Sequence, residues 1–134
     1  MTNYRPLRRG TLVFLSGPVP HLHIVINDPV VNPITKLPSV VLVNISSIRD
    51  GVRYDEACVL TPDNCAHSFV NRPSYVLYAR SYVKAVDDII QRVEIGEFET
   101  RDPLPEDAFE MVVQGFRVSR SVPPKVQRFL KHCF

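Results

Sequence analysis

The sequence predicts a mainly β chain with C-terminal helices, built as a β-barrel with helical additions. Three observations carry this. Short apolar or alternating runs rich in Val, Ile, Thr and Tyr fill residues 11–86. Turn formers punctuate them at Ser16-Gly17-Pro18, Asp28-Pro29 and Thr61-Pro62-Asp63-Asn64. Beyond residue 86 the apolar residues recur at helical spacing. Strands grouped ahead of helices, and not alternating with them, argue against βαβ units.

Residues 11–15 form a short apolar strand that Ser16-Gly17-Pro18 and Pro20 break. A second strand covers residues 21–27 and stops at Asp28-Pro29. Residues 30–37 are punctuated by proline, which cannot donate to a ladder, so they read as a loop or sheet edge. Residues 40–47 make the strongest strand in the chain. Asp50-Gly51 then signals a tight hairpin, with residues 53–60 returning as its partner. Residues 74–86 are again β-rich. Asp87 or Asp88 caps a short helix whose Ile89, Ile90 and Val93 share a face. Pro103 and Pro105 mark a linker, and Glu106 and Asp107 suit the first turn of a second helix. Ala108, Phe109, Val112, Val113 and Phe116 supply its apolar face, and Gly115 marks its end. A last helix starts at Pro123-Pro124, with Val126, Phe129, Leu130 and Cys133 on one side and Lys125, Arg128 and Lys131 on the other.

At 134 residues the chain is read as one domain, 1–134, able to bury its own core. With 45% hydrophobic and 22% charged residues the composition is that of a globular protein, and no apolar run approaches the length needed to cross a bilayer. The opening residues lack the pattern of a signal peptide. Three irregularly spaced cysteines, Cys58, Cys65 and Cys133, fit a reduced chain, so the expected compartment is cytoplasmic. A net charge of +2 is too small to point to nucleic acid by itself. No phosphate loop, nucleophile elbow or HExxH is present, which removes support for nucleotide hydrolysis and the common hydrolases.

The runs SYVLYARSYVKAV, DDIIQRVEIGEF and EDAFEMVVQGF between Ser74 and Phe116, with the opening RRGTLVFLSG and the strand VVLVNISS, resemble the PemK/MazF toxin family. The resemblance spans most of residues 8–117. It implies an SH3-like β-barrel over residues 8–86, a helical part over 87–117 and an additional C-terminal helix over 118–134. It also implies a homodimer, a toxin-antitoxin setting with an antitoxin protein as partner, and cleavage of single-stranded RNA without metal or other cofactor. In that family an arginine beside a proline opens the second strand, and a threonine or serine closes a Pro-Ile-Thr-Ser-like central strand. By pattern His21 in Pro20-His21-Leu22-His23 stands at the arginine position and Ser46 in Asn44-Ile45-Ser46-Ser47 at the threonine position. The arginine itself is missing.

Histidine can shuttle a proton where arginine supplies permanent charge. His21 and His23 share strand parity, so one as acid and one as base is the catalytic pair considered with Ser46. Arg80 or Arg72 would replace the missing charge, Ser47 stands beside Ser46 on the opposite strand face, and Tyr75, Tyr78 and Phe69 are aromatic platforms for bases. Pro33-Ile34-Thr35 spells the family tripeptide more closely, leaving Thr35 as a fallback for Ser46. Cys58, Cys65 and His67 with Asp55 or Asp63 are zinc-ligand types at poor spacing, and no metal is assigned to them. The alternative is a non-catalytic barrel that binds a protein or nucleic-acid partner, for which the extra C-terminal helix would cover the groove.

Overall fold

The run Val40-Val41-Leu42-Val43 determines the architecture, because a strand that is apolar at every position must be covered on both faces. The computed structural model describes residues 3–134. Its strands are β1 (Thr11–Phe14), β2 (Leu22–Val25), β3 (Val30–Val31), β4 (Pro38–Ser47), β5 (Val59–Leu60), β6 (Ser74–Val76), β7 (Tyr82–Ala85) and β8 (Phe98–Arg101). The helices are α1 (Val86–Glu94), α2 (Glu106–Val118) and α3 (Pro124–Leu130). All strands pair antiparallel in one sheet, in the order β5-β6-β4-β2-β1-β8, with β3 and β7 also on β4. This is the β-rich architecture with helices expected from the sequence, and the sheet is not closed. Its terminal strands are β5, with two residues, and β8, with four, and they do not pair with one another.

β4 is the spine. Its first half pairs with β7, Val41 opposite Val83, and its last residues pair with β6, Ser46 opposite Tyr75. β2 lies along its other edge, with His23 opposite Asn44. Val41, Val43 and Ile45 face a large core with Tyr78, Phe109, Val112, Val126 and Phe129. Val40 and Leu42 face a smaller one, where Leu12, Val25 and Phe98 meet Val86 and Ile89 of α1. Among the described residues no helix is long and apolar enough to cross a membrane.

Several sequence expectations change. Gly51 does take the left-handed conformation of a turn, φ 73°, but residues 53–60 do not return along β4. The segment's first residues are largely exposed at Arg53 and Glu56, and its buried Cys58 and Leu60 reach the core from the far edge of β6, which with its fully buried Val76 takes the place beside the end of β4. The expected single strand over 74–86 is broken at Tyr78–Arg80 by a 3-10 turn. There Tyr78 buries its ring and donates its hydroxyl to the Val112 carbonyl of α2 at 2.7 Å, so it offers no platform to a base. Gly115 does not end α2, which runs on to Val118. A Cβ at Gly115 would stand 1.8 Å from the Tyr78 hydroxyl, so the glycine is there to let the tyrosine pass. β8 was not expected from sequence at all.

The basic residues near the N-terminus are structural. Arg8 and Arg9 pair with Glu106 at 2.8 and 3.1 Å, and the Arg8 guanidinium lies 4.9 Å from the Phe109 ring centroid. They fix the start of α2 beside the residues leading into β1.

Candidate functional site

β4 ends where the sheet runs out of apolar residues, and its last two side chains are serines. The end is bordered by the segment entering β2 and by the loop entering β6. Together these form a cleft of about 320 Å3 lined by Pro20, His21, Ser46, Ser47, Arg49, Ser68, Phe69, Asn71 and Arg72, among others. The structure thus brings His21, Ser46, Ser47 and Arg72 to one place. Ser46 and Ser47 alternate across the strand, yet both border the cleft because it wraps around the strand end.

His21 is half-buried, and its Nδ1 lies 3.2 Å from the Ile45 carbonyl oxygen. A carbonyl only accepts, so Nδ1 carries the hydrogen and the neutral ring keeps its lone pair on Nε2. Nε2 has no hydrogen-bond partner among the described residues. Arg49 and Arg72 are exposed and form no salt bridge among the described residues, so their charge is not already neutralised within the protein.

The loop carrying Ser68, Phe69, Asn71 and Arg72 is held by His67. That ring is buried, its Nε2 donates to the Asp102 carbonyl at 2.7 Å, and its Nδ1 accepts from the Phe69 amide at 3.1 Å. Thr11 donates to the same Asp102 carbonyl at 2.6 Å. With both ring nitrogens engaged, His67 joins the cleft loop to the segment after β8. It has no capacity left for a metal. Cys58 and Cys65 are buried free thiols, which burial pushes up to about 11, so they stay protonated. Among the described residues no group of three or more His, Cys, Asp or Glu side chains is placed to hold a metal ion.

Other sequence candidates fall outside the cleft. His23 sits two residues along β2, about 7 Å further into the sheet, where its ring lies edge-on 5.7 Å from Phe98. Its Nδ1 donates to the His21 carbonyl at 3.1 Å, and burial holds its pKa below the ordinary value despite that bond. It does not share the cleft with His21. Arg80 belongs to the 3-10 turn. Tyr75 is opposite Ser46 in register, but its ring rests 5.4 Å from that of Tyr54 and lines a neighbouring groove. Thr35 lies in the turn between β3 and β4, where its Oγ1 accepts from the Leu37 amide. Arg49 and the serine and asparagine of the loop were not singled out from sequence. The available signal was that Arg49 is the first cation after Ser46 and Ser47.

Comparison with protein-family models, with curated proteins and with solved structures gives no match to this chain.

Proposed function

We propose that this chain is a toxin-like endoribonuclease of the PemK/MazF kind, with the cleft at the end of β4 as its active site. In this reading the open antiparallel sheet is a divergent SH3-like barrel. The protein acts as a homodimer in the cytoplasm, and an antitoxin protein restrains it. The observation that carries the reading is the His21 ring, fixed by the Ile45 carbonyl beside Ser46, with Arg49 and Arg72 unpaired on the same cleft. α3 contributes no residue to that cleft, so the extra helix leaves the groove open.

The chemistry follows from the groups present. His21 Nε2 takes the proton of a ribose 2′-hydroxyl as the 2′-oxygen attacks the adjacent phosphorus. The bond from phosphorus to the 5′-oxygen breaks, and that oxygen leaves with a proton from the protonated ring or from water. A 2′,3′-cyclic phosphate and a 5′-hydroxyl result. Arg49 and Arg72 offset the charge that grows on the non-bridging oxygens, and the Ser46 and Ser47 hydroxyls donate to them. Phe69 and Asn71 border the same space, one able to stack on a base and the other to hydrogen-bond its edge.

The test is incubation of a mixed-sequence single-stranded RNA with purified protein in EDTA. Discrete cuts with cyclic-phosphate ends, lost in His21→Ala and in Ser46→Ala, are expected. One observation favours a second reading, a barrel that binds RNA or protein without catalysis: histidine replaces the arginine of the resembled family at position 21. RNA affinity without cleavage, unchanged by His21→Ala, would select it.

A further inference from the structure

The other end of β4 carries a second concavity that shares no residue with the cleft. It is about 610 Å3, inside the roughly 300–1,000 Å3 range of ligand pockets, and is formed by the turn after β3, by β7 and by α3. Its apolar lining includes Ile34, Val83, Val126 and Phe129. Ile34 is 79% exposed and is flanked by the half-exposed Val31, at the end of β3, and Leu37, an unusual grouping for a free surface. The charged residues on its rim are Lys125 and Arg128, with His132 one turn further on, and no carboxylate lines it. Neither Lys125 nor Arg128 forms a salt bridge among the described residues.

The charge there is part of a wider asymmetry. All 14 acidic residues of the chain lie at or before Glu110, whereas Arg117, Arg120, Lys125, Arg128 and Lys131 follow it. The C-terminal segment therefore carries only cations among its charged side chains, and the rest of the chain carries more acid than base. An apolar floor beside unpaired cations is complementary to a ligand that is apolar and anionic together. We infer that this pocket is a docking site for an acidic peptide segment of a partner protein, one that seats large apolar side chains between Ile34 and Phe129 and sets carboxylates against Lys125 and Arg128. A nucleic-acid strand fits less well. Strand binding uses exposed aromatic faces, whereas Phe129 is 4% exposed and Tyr82 is half-buried, leaving His132 at the rim as the one exposed ring of the lining.

The inference does not rest on the ribonuclease reading, because its residues and its ligand are different. It is tested by selecting a random dodecapeptide library on the immobilised wild-type protein, then titrating the selected peptides by fluorescence anisotropy. The selected sequences are expected to be rich in Asp and Glu with interspersed Leu, Ile or Phe. They should bind the Lys125→Glu/Arg128→Glu variant at least about tenfold more weakly and His21→Ala unchanged. Both rim residues are exposed, and an unaltered circular dichroism spectrum and melting temperature would confirm that the variant folds. Peptides without acidic enrichment, or with equal affinity for the charge-reversed variant, would overturn the inference. So would competition for Lys125 and Arg128 by a labelled single-stranded RNA that displaces the peptides, which would give the pocket to nucleic acid.

Discussion

The two ends of β4 solve opposite problems. From Val40 to Val43 every side chain is apolar and covered, Val40 and Leu42 beneath α1 and Val41 and Val43 towards α2 and α3, and stability resides there. Its last residues are two serines at the rim of an open cleft, where polar and cationic groups from three segments gather without ion pairs. A difference on this scale within ten residues shows how one strand serves both purposes. The packed half fixes the direction of the backbone, and the Ile45 carbonyl at its end fixes the tautomer of His21. Substitutions at one end should therefore alter activity with little change in stability, and at the other the reverse.

The largest expected effect is at the open end. His21→Ala should lower the RNA cleavage rate by about 10²–10⁴-fold, the usual contribution of a positioned general base, while its melting temperature stays close to wild type. Loss of folding in that variant would break the comparison. Next comes the packed body. Gly115→Ala places a methyl group against the Tyr78 hydroxyl and should cost about 3 kcal/mol in denaturant unfolding, as overpacking does. Combining it with Tyr78→Phe should recover only part of that, because the remaining ring carbon would still lie 2.5 Å away. Full additivity of the two changes would contradict the contact.

His67 links the halves, and His67→Leu sharpens the distinction. It strands the Phe69 amide and leaves the Asp102 carbonyl to Thr11 alone, at a cost of about 2 kcal/mol. It should also weaken RNA binding by loosening the loop that carries Arg72. Calorimetry and a binding isotherm read the two effects separately.

A smaller effect concerns pH. His23 has a lower pKa folded than unfolded, so the unfolded chain binds more protons in that interval and stability rises with pH. Its contribution is complete above the unfolded value and is lost as pH falls through the folded one. Urea midpoints should drop as pH falls below 6.5, the ordinary histidine value, and less steeply in His23→Gln. Smallest of all, Arg8→Ala removes a solvent-exposed ion pair and should shift the urea midpoint barely beyond the resolution of the titration.

Local rules made much of this legible. The apolar run at 40–43 marked the central strand, and proline with acidic residues marked the start of α2. β8 was missed because only Phe98 among its four residues is buried, so it has no periodicity to read; it is held by its ladder to β1. Gly115 was misread as a stop because its reason is Tyr78, a residue remote in sequence. The same limit applies to the cleft. The chemical types at His21, Ser46 and Arg72 could be picked out, but their proximity depends on a loop tied down through His67 and Asp102. Arg49 went unnoticed because a turn arginine looks the same in sequence whether or not it borders a site. His23 was paired with His21 on strand parity, which ignores that two residues along a strand lead from the rim to the core.

The most direct test of the central claim, that the end of β4 is where RNA is held, is an NMR titration with an uncleavable 2′-O-methyl oligoribonucleotide. Amide shifts should concentrate at Ser46, Ser47, Arg49 and the loop from Ser68 to Arg72, leaving Ile34 and Val126 unmoved. Shifts gathered instead around α3, or none at concentrations that saturate other single-strand binders, would contradict the account.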